Sequence, residues 1–83
     1  MSKKEKLIKR IKSKPRDFTF EEAITLLLAL GFVKSNKGKT SGSRTLFELG
    51  STPIALHRPH PRNELAPYQI RDILEVLEGE GLI

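Results

Sequence analysis

The sequence predicts a single α+β domain of order α-β-β-β-α, a three-stranded antiparallel sheet with two helices on one face. A short basic N-terminal helix or arm precedes it. Three observations carry this. A helix-spaced apolar stretch opens with a capping sequence, two alternating runs are joined by a turn, and a second helix-spaced stretch follows a proline. One amphipathic sheet face and two amphipathic helices close one core as a layer pair. Eighty-three residues suffice for one domain, and they bury only a modest core.

The basic start comes first. Residues 1–16 carry eight Lys or Arg against Glu5 alone, for a charge of +7, whereas residues 17–83 come to −2. Residues 1–16 therefore read as a basic N-terminal arm, and residues 17–83 as the single domain. Within the arm, "KKEKLIKRIK" sets Leu7, Ile8 and Ile11 on one side, a short amphipathic helix that docks weakly on the domain or frays. Charge of this kind favours a polyanion, although a solvated, solubilising tail has the same composition.

In "DFTFEEAITLLLALGF", Thr19 caps the helix and Glu22 completes a capping box. Glu21 and Glu22 sit where the helix dipole favours negative charge. Phe20, Ala23, Ile24, Leu27 and Leu30 make the expected buried stripe. Gly31 supplies the left-handed stop, and Phe32 folds back on the last turn. A short strand is expected at Phe32–Lys34, then a loop through Ser43.

"RTLFEL" sets Thr45, Phe47 and Leu49 against Arg44, Leu46 and Glu48, and "IALHR" sets Ile54 and Leu56 against Ala55 and His57. A four-residue "GSTP" turn between them pairs Leu49 with Ile54 and Leu46 with His57, leaving Arg44 diagonal to His57. Pro67 suits a first helical turn. Ile70, Ile73, Leu74 and Leu77 build the last helix, Arg71 and Glu75 form an i,i+4 pair, and Gly79 and Gly81 end it.

Several chemistries fail on spacing. "GKT" at 38–40 lacks the P-loop's first glycine, since residue 33 is valine, and strand spacing follows it. His57 and His60 have no third ligand at recognisable spacing, so neither a metal nor any other cofactor is expected. Ser41 and Ser43 lie in no nucleophile elbow. Without cysteine there is no disulfide framework, and "AITLLLAL" is too short to span a bilayer. No secretory signal is read at the N-terminus, and a cytoplasmic location is expected.

What remains is one polar edge. Parity puts Arg44 and His57 on the face away from the core, with Lys37, Lys39 and His60 nearby in sequence. Cations beside imidazoles that titrate near neutrality suit a phosphodiester, and a merely solvated open face accounts for the same residues.

The segments "ALGFVKSNKGKTSGSR", "IALHRPHPRNEL" and "PYQIRDILEVL", in this order and spacing, resemble the HicA toxins of bacterial toxin–antitoxin pairs. The resemblance covers about Phe18 to Ile83. It implies a double-stranded-RNA-binding-like fold, metal-independent cleavage of messenger RNA, and neutralisation by a HicB-type antitoxin. The protein would be a monomer or part of that complex, without a membrane partner. The family pattern follows its glycine–serine pair with a catalytic histidine. Here Gly42 and Ser43 match and Arg44 takes the histidine's place. Arginine stays protonated, so it stabilises a phosphorane without accepting a proton. Catalysis then falls to His60 or His57, while Arg44, Lys37, Lys39, Ser43 and Arg58 are expected to contact RNA. Two alternatives stand beside the ribonuclease: an RNA-binding module that no longer cleaves, and an interaction domain that only binds an antitoxin.

Overall fold

Short-range hydrogen bonds set the helix limits. In the computed structural model, which describes residues 2–35, 44–59 and 63–83 (Arg44 as backbone), Ser2 accepts from Glu5 N at 3.2 Å and opens α1, Lys3–Lys12. Helix α2, Phe20–Ala29, begins with the expected capping box. Glu22 N donates to Thr19 Oγ1 at 3.1 Å, and Thr19 N donates to Glu22 Oε1 at 3.0 Å. Helix α3, Pro67–Gly79, has Pro67 at its first position, where no N–H is needed.

Both α2 and α3 end in a Schellman turn. Phe32 N donates to Leu27 O and Gly31 N to Leu28 O; Leu82 N donates to Leu77 O and Gly81 N to Glu78 O. Gly31 and Gly81 sit at φ 103° and 71°, so the stop of α3 is Gly81 alone, and Gly79 is its last helical residue. Arg71 and Glu75 do not close an ion pair; among the described residues both ion pairs belong to Arg10.

The strands β1, Val33–Lys34, β2, Arg44–Leu49, and β3, Thr52–His57, form an antiparallel sheet in the order β1-β2-β3. The hairpin register differs from the expected one by two residues: Leu49 pairs with Thr52, Phe47 with Ile54, and Arg44 with His57. The turn is Gly50–Ser51 rather than "GSTP". Gly50 at φ 60° supplies the positive φ that a two-residue loop requires at its first position. Pro53 can then lie inside β3, because β3 is an edge strand and has outward-facing positions that need no donor. A two-residue shift preserves parity, so each residue keeps its expected face.

Phe47, Ile54 and Leu56 meet Phe20, Ala23, Leu26 and Leu27 of α2 and Ile70, Ile73, Leu74 and Leu77 of α3 in one core. Ile24 and Leu30 of the expected stripe are only half-buried, and Leu26, outside it, is fully buried. Helix α1 packs against both α2 and α3 and adds Leu7 and Ile11 to the same core, which is therefore wider than one stripe of α2. The amphipathic helix docks; it does not fray.

Arg10 fixes that docking. Its Nε and Nη2 donate to Glu22 Oε2 and Oε1 at 2.9 and 3.2 Å, a bidentate pair, and its Cζ lies 5.6 Å from the Phe18 ring centroid. The Glu22 hydrogen bond is the main cause that raises the Arg10 pKa above its ordinary value. Glu22 thus joins two helices while capping one of them. Glu22→Ala is expected to lower stability by about 1–2 kcal/mol in a urea melt. Glu22→Gln, which keeps an acceptor for Thr19 N, should recover part of that.

Candidate nucleic-acid interface

His57 ends β3, exposed to solvent, and position 44 is its direct cross-strand partner, not a diagonal one. Alternation places both positions on the sheet face that turns away from the core, together with Leu46, Glu48, Pro53 and Ala55. Val33 pairs with Glu48 and so shares this face, where it is 63% exposed. The face therefore offers an imidazole-bearing end, where His57 pairs with position 44, and an apolar pair next to it in Leu46 and Ala55.

One buried side chain holds the histidine's backbone. Gln69, 9% exposed, donates from Nε2 to His57 O at 2.9 Å, and its Oε1 accepts from Ala66 N at 2.9 Å. A single amide thus ties the end of β3 to the start of α3. Its sequence signal was the glutamine of "PYQI", three residues past the cap position. Nothing in the spacing pointed to His57, because the bonded carbonyl lies twelve residues away. Gln69→Ala leaves both backbone groups unpaired. The expected cost is about 1–2 kcal/mol, with faster hydrogen exchange at the Ala66 amide than in the wild type.

Arg58 follows a different course from His57. Its guanidinium lies 4.5 Å from the Phe20 ring centroid, and Nη1 donates to Asn63 Oδ1 at 3.3 Å. Asn63 Nδ2 in turn donates to Glu21 Oε1. The backbone seals the same place: Phe20 N donates to Asn63 O at 2.9 Å and Leu65 N to Phe18 O at 2.8 Å, around a bridge between Thr19 and Glu64. The segment between β3 and α3 is therefore anchored on both sides, at Arg58 and at 63–65. His60 lies between these anchors but outside the described residues, as do Lys37, Lys39 and Ser43.

Sequence reasoning missed two features. A groove between β3 and α3 is lined by His57, Gln69, Asp72 and Tyr68, the last 55% exposed. A second cleft, lined in part by Pro59, gathers Lys14 and Arg16 with Arg71 of α3. Among the described residues no group of three or more His, Cys, Asp or Glu could hold a metal ion, and no helix is long and apolar enough to cross a membrane.

Comparison with known proteins agrees with this architecture. The family model described as HicA toxin of bacterial toxin-antitoxin matches residues 20–78, from the first residue of α2 through all three strands to the penultimate residue of α3. No curated relative and no solved structure matches the chain. The α-β-β-β-α order accords with the double-stranded-RNA-binding-like fold of that family. With most of its length matched, the chain belongs to the HicA family of bacterial toxin–antitoxin toxins.

Proposed function

We propose that this toxin is an endoribonuclease that cleaves messenger RNA without a metal ion and is neutralised by a HicB-type antitoxin. The observation that supports it most is the direct pairing of position 44 with His57 on the open sheet face of a HicA-family fold. In the reaction, the ribose 2′-oxygen attacks the adjacent phosphorus, and the bond from phosphorus to the 5′-oxygen breaks. A base takes the 2′-hydroxyl proton and an acid gives one to the departing 5′-oxygen. The products are a 2′,3′-cyclic phosphate and a 5′-hydroxyl.

Arg44 stands where the family has histidine. It serves as the fixed positive charge on the phosphorane oxygens, since a guanidinium cannot act as the base. His60 and His57 carry the proton transfers, being the two imidazoles of the sequence. Lys37, Lys39 and Ser43 contact the flanking phosphates, and Arg58 contributes from the α2 side. Residues 1–16 add sequence-independent attraction to the surface carried by residues 17–83. The antitoxin closes the open sheet face in the cytoplasm.

The end groups test the chemistry. Purified protein with labelled RNA and excess chelator should yield 2′,3′-cyclic phosphate and 5′-hydroxyl ends. Products with 5′-phosphate ends would contradict it. No cleavage together with retained RNA binding would instead favour the non-cleaving RNA-binding reading, in which Arg44 replaced a needed histidine.

A further inference from the structure

The way α1 stops marks a second site. Past their caps, α2 and α3 place glycines in the left-handed conformation, but α1 places Lys14 there, at φ 52°. A lysine in that conformation is strained by its Cβ, and the next residue is Pro15. Lys14 N still donates to Ile11 O at 3.0 Å, as a Schellman turn requires. Pro15 has no N–H to make the closing bond that Phe32 and Leu82 make in the other two helices. Glycine would relieve the strain. Strain retained at one residue directs attention to what its side chain does.

Lys14 lines a cleft of about 780 Å³ between the α1–α2 connection and the start of α3. Arg16 and Arg71 line it too, and Glu64 is its sole carboxylate among the described residues. Both ion pairs among the described residues use Arg10, so none of these three cations closes an ion pair, although Glu75 and Glu78 line the adjoining hollow beside Lys14 and Arg71. Pro15, Pro59 and Pro67 form part of the wall and supply no backbone donors. The side-chain cations are then what recognises a ligand. Pro59, which lines the cleft, is two residues past His57 and directly precedes His60 in the sequence.

We propose that this cleft is a phosphate-binding subsite that grips the RNA strand beside the histidine edge. The proposal rests on RNA as the substrate. It does not come from the family match, since Lys14 and Arg16 lie outside residues 20–78. Three cations that line one cleft with a single carboxylate attract a polyanionic strand, which gains further by releasing counterions.

The test is binding of a fluorescently labelled 2′-O-methyl RNA, which lacks the attacking hydroxyl, to the full chain across a salt series. A Lys14→Gly/Arg16→Gln/Arg71→Gln variant should bind about tenfold more weakly at low salt. Its log–log salt slope should fall by about 2, three phosphate contacts at roughly 0.7 each on a single strand. Lys3→Gln/Lys4→Gln/Lys9→Gln removes equal charge from exposed positions of α1 and should cost much less. Lys14→Gly alone should melt at or above the wild-type temperature and still bind more weakly, which separates binding from folding. Equal losses in the two triple variants would overturn the subsite while leaving RNA binding intact. Full RNA affinity in the cleft variant with lost antitoxin affinity would also overturn it, assigning the cleft to a protein. A wild type that binds no RNA would overturn the RNA reading itself.

Discussion

Leu27→Ala is expected to destabilise the protein by about 2–5 kcal/mol, the transfer and cavity cost of truncating a buried leucine. Leu27 is fully buried in the core cluster, and its carbonyl accepts the closing bond of the α2 Schellman turn. The backbone bond survives the substitution, so the loss is one of packing. A chain of this size has a stability of only roughly 5 kcal/mol, so the variant should be largely unfolded at 37 °C. Leu28→Ala is the matched control. Leu28 is 51% exposed one position away, and its truncation should change stability by less than about 0.5 kcal/mol. Urea melts of the two variants side by side make the comparison. Equal, small effects would mean that α2 does not pack through this face.

The contrast between Leu27 and Leu26 shows what the sequence could and could not convey. Thr19 and Glu22 announce the start of α2 because capping is local chemistry, complete within four residues. Leu26 looked like an outer position because helical spacing describes one buried stripe. The core it joins also takes in Leu7 and Ile11 of α1, which offered too few contacts in sequence to establish docking. Arg10 decides it through Glu22, twelve residues away.

The candidate site divides in the same way. The alternation of "RTLFEL" and "IALHR" assigned position 44 and His57 to the open face, because parity survives an even shift in register. The register itself was not legible, since "GSTP" permits either a four-residue turn or a two-residue turn with proline in an edge strand. Only the conformation of Gly50 distinguishes them. Gln69 and the Lys14 cleft were invisible for another reason. Their partners, His57 O and Arg71, lie far along the chain, and no periodicity encodes such contacts.

The second large effect concerns proton transfer. With Arg44 permanently charged, an imidazole must supply the exchangeable proton, so His60→Ala or His57→Ala should reduce RNA cleavage to background. Both variants should keep the fold: the Gln69 bond that ties β3 to α3 uses the His57 backbone carbonyl, which the substitution leaves in place. Arg44→Ala should be slower by roughly 10²–10³-fold, the usual loss when a preorganised electrostatic donor is removed. That variant keeps both imidazoles, so its residual rate should retain the wild-type dependence on pH. Arg44→His places an imidazole at the family's position and provides a second route for the proton.

The most direct measurement is single-turnover cleavage of labelled RNA in excess chelator by the wild type, His57→Ala, His60→Ala and the double variant. The expected result is cleavage by the wild type, background from at least one single variant, and background from the double variant. Wild-type cleavage that persists undiminished when both histidines are replaced would contradict the account.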